Sequence, residues 1–208
     1  SIVPIAELEE RIRTRLLTSD FCQVYELTEE TPTLFTYSWA PEFKLQKKMT
    51  FASFDPKRAN LPPEQRENLV EAYRLALDFA ESSDGWLVFQ GVNGCGKTHL
   101  AAAIINYRYQ AKKPALFVVV PDFLDHLRST FSPESKISYD RLFESVKSTP
   151  LLALDDFGQQ STTPWAQEKL YQVINHRYNS RLPTVITTTL TNDEVDSPIV
   201  SRFVDPKL

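Results

Sequence analysis

The feature that most constrains this chain is the run at residues 86–100, WLVFQGVNGCGKTHL. Apolar residues Trp86, Leu87, Val88 and Phe89 lead to Gly91, Gly94 and Gly96, then to Lys97, Thr98 and a helix-like continuation. This is the G-x-x-x-x-G-K-T spacing of a phosphate loop. A polyphosphate is held by several backbone N–H groups converging on it, and glycine lets the chain curl and approach the oxygens without a Cβ in the way. A helix that starts at once adds its unpaired N-terminal N–H groups and its dipole. The expected contacts of ATP or ADP are therefore Gly91, Val92, Asn93, Gly94, Cys95, Gly96, Lys97, Thr98 and His99. Lys97 is expected to reach the β- and γ-phosphates, and the Thr98 hydroxyl to ligate Mg2+. Cys95 sits where only a small residue fits and reads as a spacer, not a nucleophile. A strand before the loop and a helix after it commit the chain to an α/β fold.

At 208 residues and 42% hydrophobic, the chain has material for one well-buried core and a small appendage. Its net charge of −4 argues against a general DNA-coating protein, so nucleic-acid contact must come from a local basic patch or from assembly into a larger ring. Cys22 and Cys95 have no C-x-x-C spacing; neither a zinc site nor a disulfide framework is expected, and a reducing cytosol fits. No apolar run approaches the length of a membrane span, and the start SIVPIAELEERIRTRLL is too charged for a signal peptide. The expectation is a soluble, cytoplasmic protein with no membrane partner.

Residues 4–17 carry Ile5, Leu8, Ile12 and Leu16 at helical spacing with Glu and Arg on the other face, a short amphipathic helix. FCQVYEL, TEETP and TLFTYSW then read as a β-hairpin over 21–39. Its aromatics Phe21, Tyr25, Phe35, Tyr37 and Trp39 suit either a packed sheet face or a platform for bases, and the nearby Glu26, Glu29 and Glu30 favour packing. Helix and hairpin make an N-terminal appendage over 1–48, and the core follows over 49–208. Within it, 49–60 reads as an extended segment with Phe51 and Phe54 on one side, and 62–82 as a helix begun by Pro62 or Pro63 with a stripe of Leu69, Tyr73, Leu77 and Ala80. These two elements are placed to cover the base of a nucleotide or to pack in the core. After the loop come a helix over 97–111, the buried strand ALFVVV at 115–120, a helix from Pro121 to about 131, and a second helix over 139–146.

LLALDDFG at 151–158 is the second motif: a buried strand ending in two carboxylates, at the sheet edge where α/β folds bind ligands. Asp155 is expected in the Mg2+ shell and Asp156 as the catalytic carboxylate that orients or deprotonates the attacking water. Thr163 and Pro164 cap and open a helix that runs to Tyr178; TVITT at 184–188 is a fourth buried strand, and IVSRF at 199–203 presents Arg202.

Taken in order, GVNGCGKTHL, LLALDDFG, INHRYNSRLPTVITTTL and IVSRF resemble the AAA+ ATPase core of the DnaC/DnaI helicase-loader family, which is related to the DnaA initiator and IstB-like ATPases. The resemblance covers about residues 50–208. It implies a P-loop NTPase with a parallel sheet flanked by helices, nucleotide contact from Gly91 through Thr98, Mg2+ at Thr98 and Asp155, and water activation near Asp156. The family's first sensor residue, usually Asn, falls on Thr189, whose hydroxyl lacks an amide's reach, so slow hydrolysis is implied. Asp156 stands where many AAA+ proteins carry Glu. Arg202 matches the arginine finger, which acts in a neighbouring subunit of an assembly of copies; alone in a monomer it reads as an Arg capping a helix end. The resemblance also implies a fifth strand beside the phosphate-loop strand and a helical lid. The sequence reaches Leu208 without either, so the core is expected to be trimmed, with another segment, the 21–39 hairpin being the candidate, covering that strand's edge.

As a function, the resemblance implies an ATP-driven loader in DNA replication, with a hexameric replicative helicase and single-stranded DNA as partners and ATP hydrolysed to ADP and phosphate. Two other readings stay open: an ATP-dependent helper of a transposase, and an adaptor that reads ATP with little turnover. Phe131, Lys136 and Arg141 lie where the clade implies a DNA path, though for each residue alone packing or solvation is the favoured reading.

Overall fold

The computed structural model describes residues 46–58, 61–132, 138–158, 163–191 and 197–203. Four strands, Trp86–Gln90 (β1), Leu116–Val119 (β2), Leu152–Asp155 (β3) and Thr184–Thr188 (β4), form a wholly parallel sheet in the order β1-β4-β3-β2. The helices are Pro63–Ser82 (α1), Lys97–Gln110 (α2), Val120–Ser129 (α3), Tyr139–Ser148 (α4), Pro164–Asn179 (α5) and Ser197–Phe203 (α6).

The short, unbroken apolar strands reflect cover on both faces of the sheet. On one face, Phe79 and Ala80 of α1 with Leu100 and Ile104 of α2 pack on Phe117, Ala153 and Val185. On the other, Phe123 and Leu127 of α3, Leu142 and Val146 of α4, and Val173 and Ile174 of α5 pack on Leu116, Leu152, Leu154 and Ile186. Alternate residues of each strand thus feed opposite clusters, as the two-residue period of a strand requires. Each fully buried Leu or Ile contributes about 1.5–3 kcal/mol of transfer free energy. α2 is apolar almost all round, with Leu100 through Ile105 buried, because it lies between the sheet and α1. Helix starts follow their caps: Thr163 Oγ1 accepts the Ala166 N–H at 3.3 Å, and Pro164 sits where no N–H is needed.

Strand order places the site. After β1 the chain crosses to the far edge for β2, returns through β3, and inserts β4 between β3 and β1. The loop leaving β1 and the acids ending β3 therefore flank the C-terminal end of β4, the crevice such sheets offer to ligands.

One buried cation braces this arrangement. Arg177 is fully buried, and burial pushes its guanidinium down to about 9. Its Nε donates to Thr184 Oγ1 (2.9 Å), Nη1 to the Lys147 and Thr149 carbonyls (3.0 and 2.8 Å), and Nη2 to the Pro183 carbonyl (2.6 Å). The end of α4, the end of α5 and the start of β4 are thereby tied to one side chain.

The structure departs from the sequence reading in places. The expected extended segment at 49–60 contains a 3-10 turn, Phe51–Ser53, closed by a reciprocal capping box in which Thr50 Oγ1 accepts the Ser53 N–H at 3.2 Å and Ser53 Oγ accepts the Thr50 N–H at 2.9 Å. The helix expected to open at Pro121 opens at Val120, directly from β2. The helix expected at 4–17 and the hairpin at 21–39 lie outside the described residues, as does nearly all of the appendage at 1–48. Among the described residues β1 pairs with β4 alone, so the expected cover for its other edge also falls outside them. No described helix is long and apolar enough to cross a membrane.

Candidate nucleotide-binding site

The loop 91–96 turns from β1 into α2 on glycines with positive φ, +77° at Gly94 and +112° at Gly96. At Gly96 the requirement is double. Any Cβ there would stand 2.9 Å from Phe54 Cε2, so the ring and the backbone conformation both demand glycine. Phe54 is stacked on Tyr73 (5.8 Å between centroids), meets the His99 ring edge-on (5.0 Å), and carries the Arg58 guanidinium over its face at 5.6 Å. Arg58 Nη1 also donates to the Gly94 carbonyl at 3.4 Å. The segment before α1 thus buttresses the loop from outside.

Lys97 is 9% exposed, and its Nζ donates to the Gly91 and Val92 carbonyls at 2.7 and 2.9 Å. The ammonium is curled inside the loop, where it can exchange those carbonyls for phosphate oxygens. The first backbone bond of the helix is Leu100 N–H to the Gly96 carbonyl at 3.0 Å, which leaves the N–H groups at Lys97, Thr98 and His99 as the helix's N-terminal donors. The His99 side chain is engaged elsewhere: its Nε2 lies 3.0 Å from the Thr50 carbonyl and 3.2 Å from Ser53 Oγ. What position 99 offers a phosphate is its backbone. Cys95 Sγ lies 4.0 Å from Lys97 Nζ, and Val92 stands out at 77% exposed.

The acids meet the loop through β4. Gly91 N–H donates to the Thr188 carbonyl (3.2 Å) and Phe157 N–H to the Thr187 carbonyl (2.8 Å), so the exits of β1 and β3 are both sewn to the end of β4. Asp155 is 4% exposed; burial raises its carboxyl above the ordinary value, Asp156 adds to the rise, and hydrogen bonds from Thr187 and Thr98 with the charge of Lys97 oppose it. Thr98, at the start of α2, is thus close enough to act on the Asp155 carboxyl, which Thr187 Oγ1 meets directly at 2.6 Å. Asp156 turns the chain with φ of +58° and is half-buried. Gly158, at φ +97°, lets the turn press on Leu190, whose Cδ1 a Cβ would strike. Thr189 stands one residue beyond β4, half-buried, at this same edge.

Arg202 is placed apart from this cluster. Its Nη2 donates to Asn175 Oδ1 (3.1 Å), Nη1 to Ser201 Oγ (2.9 Å), and the guanidinium lies over Tyr178 at 5.1 Å and Tyr171 at 5.8 Å. It is thus held on α5, on the sheet face opposite α2, so within one chain it does not join the loop and the acids.

A cavity of about 550 Å³ opens from the loop toward α1, lined by Arg58, Asn68, Leu69, Leu87, Gly91 and Gly96 among others. Its mix of aliphatic and amide side chains suits a base and sugar. The donor set fits a triphosphate with a hard divalent cation: a glycine cradle, a lysine, helix N–H groups, one hydroxyl and one carboxylate. Mg2+ is commonly held by one or two carboxylates together with phosphate oxygens, and among the described residues no group of three His, Cys, Asp or Glu side chains is poised to hold a metal alone. Sequence reasoning weighed the 49–60 segment with Phe54 as cover for the base but missed Thr187 and the buttressing of the phosphate loop by Phe54 and Arg58. The threonines of TVITT were a visible signal, since hydroxyls in a fully buried strand need partners.

Comparison with known proteins identifies the family and the fold. The family described as IstB-like ATP binding protein matches residues 40–208. The replicative helicase loader DnaC of Buchnera aphidicola subsp. Acyrthosiphon pisum is 31% identical over 141 residues, covering 68% of this chain and 57% of that protein. A crystal structure of the DnaC helicase loader superposes with a TM-score of 0.60 at 23% identity, covering 77% of this chain and 94% of the other. The replication initiator DnaA bound to AMPPCP and single-stranded DNA superposes with a TM-score of 0.62 at 21% identity, covering 76% and 48%. These likenesses show the fold, and the chain spans a little over half the length of the curated DnaC relative.

Proposed function

Since the chain belongs to the family of IstB-like ATP binding proteins, we propose that it is a weak ATPase that loads a hexameric replicative helicase onto single-stranded DNA. The ATPase part of this reading is supported by the junction at β4, where Gly91 N–H is bonded to the Thr188 carbonyl while Thr187 holds Asp155, and the loader part by the likeness to DnaC. One binding edge then contains both the phosphate cradle and the metal-type acid.

In this proposal the triphosphate lies along the loop 91–96 and the N-terminus of α2, with the base toward the cavity beside Asn68 and Leu69. Lys97 leaves the Gly91 and Val92 carbonyls to neutralise the β- and γ-phosphates. Thr98 and Asp155 would hold Mg2+, which would supply positive charge to offset that of the phosphates. Asp156 orients the attacking water and accepts its proton, and the Thr189 hydroxyl donates to the γ-phosphate. Arg202, stacked on α5, acts across a contact between copies, spreading positive charge over a neighbouring site's transition state. Thr189 in place of an amide and Arg202 held away from its own site both support slow turnover by a lone chain.

Single-stranded DNA would stack on the exposed Phe131, which lies 5.4 Å from Tyr139 and 6.3 Å from Trp165, with Arg128 5.1 Å from the Trp165 ring. A cytoplasmic location follows from the partners. The test is capture of a purified hexameric replicative helicase in ATP, in ADP and without nucleotide, with an IS21-type transposase as the comparison. The proposal expects nucleotide-dependent capture of the helicase. Capture of the transposase alone would move the assignment to a transposase helper, and equal capture in all nucleotide states would reject an ATP-driven loader.

A further inference from the structure

We propose that Thr187 is a positioning residue that sets the acid pair for the metal, a role deepening the ATP-site reading above and resting on it. The Thr187 side chain is buried in β4 at 1% exposed, beside the apolar pair Val185 and Ile186. At such a position a hydroxyl costs stability unless both its hydrogen and a lone pair are used. Both are. Thr187 Oγ1 donates to Asp155 Oδ1 at 2.6 Å, the short distance of a charge-assisted bond, and accepts the Asp156 N–H at 3.1 Å.

One hydroxyl therefore touches both acids of LLALDDFG. It fixes the Asp155 carboxylate from the β4 side, with Thr98 lying near it at the start of α2. It also satisfies the backbone N–H of Asp156 at a residue whose φ of +58° few non-glycine residues adopt. The neighbouring Thr188 works on the next residues in the same way, donating to the Phe157 carbonyl (2.8 Å) and accepting the Leu190 N–H (3.0 Å). The two threonines divide the labour: Thr188 holds the turn at Phe157 and Leu190, and Thr187 holds the Asp155 carboxylate and the Asp156 backbone. Outer partners of this kind commonly change metal affinity about 10–100-fold when removed.

The test uses the full chain, a fluorescent N-methylanthraniloyl ATP, and titration with Mg2+ from EDTA-treated buffer. Thr187→Val keeps the shape and deletes the hydroxyl; Thr187→Ser keeps the hydroxyl. The proposal expects Thr187→Val to bind the nucleotide without Mg2+ within about twofold of wild type, and to need about tenfold more Mg2+ for its half-maximal effect. Thr187→Ser should return to within about threefold of wild type. If Thr187→Val does not fold, Thr187→Cys, a weak donor of similar size, is read by the same criterion. A Mg2+ requirement within twofold of wild type for the variant lacking the donor overturns the proposal. A wild-type protein whose nucleotide binding ignores Mg2+ overturns it too, and rejects the underlying metal-site reading with it.

Discussion

Replacing Gly96 with alanine probes the link between the segment before α1 and the phosphate loop, and its cost can be built from two parts. A new Cβ would lie 2.9 Å from Phe54 Cε2 and 3.2 Å from Cζ, an overlap of about 0.6 Å against ordinary carbon contacts. The ring cannot retreat freely because Tyr73 stacks on it and His99 abuts it. Overpacking of this sort costs about 1–3 kcal/mol. Holding alanine at φ +112° costs about 1–3 kcal/mol more. The total, about 2–6 kcal/mol, is large beside a typical domain stability of about 5–15 kcal/mol. A double-mutant cycle separates the parts: urea denaturation of wild type, Gly96→Ala, Phe54→Leu and the double variant. The smaller leucine removes the clash but not the backbone cost, so a coupling of about 1–3 kcal/mol is expected. A single-variant loss below about 0.5 kcal/mol, or no coupling, would refute the idea that Phe54 enforces the loop's conformation.

The remaining expectations concern the acid, the buried cation and the distant arginine. Burial raises the Asp155 carboxyl above 3.8, so the folded protein holds this proton more tightly than the unfolded chain and stability falls as pH rises from 3.8 through the folded value. In metal-free buffer Asp155→Asn should therefore melt higher than wild type at pH 7.5, with the gap closing toward pH 4, while losing Mg2+-dependent nucleotide binding; a gap that widens on acidification would contradict the assigned cause. Arg177→Met strands the carbonyls of Lys147, Thr149 and Pro183 and should cost about 3–5 kcal/mol in urea denaturation. Arg202→Ala should leave nucleotide affinity within about twofold and lower turnover about tenfold or more only where copies assemble, measured as phosphate release against protein concentration.

Much of the architecture was legible because its signals are local. The glycine spacing of the loop, the buried runs ALFVVV, LLALDD and TVITT, and the Thr163-Pro164 helix start each carry their own physical demand. What escaped depends on contacts between distant segments. Arg177 sits in INHRYNSRLP as an ordinary helix-end charge, and only the fold surrounds it with carbonyls. His99 looks like a phosphate-loop residue until the Thr50–Ser53 turn closes against its ring. Phe51 and Phe54 stand three residues apart, an offset that a strand would put on opposite faces, and the Thr50 and Ser53 hydroxyls close a capped turn instead. Arg202 is conspicuous in sequence, but Asn175, Tyr171 and Tyr178 determine where a single chain keeps it.

The central claim is that a triphosphate with magnesium binds between the Gly91 turn and Asp155, and isothermal titration calorimetry of ATP into the full chain tests it most directly. With Mg2+ present, wild type should bind with one-to-one stoichiometry, and Lys97→Ala, which removes the ammonium now bonded to the Gly91 and Val92 carbonyls, should weaken binding by about a hundredfold, the equivalent of about 2.7 kcal/mol. No heat from wild type, or equal affinity in the two proteins, would contradict the account.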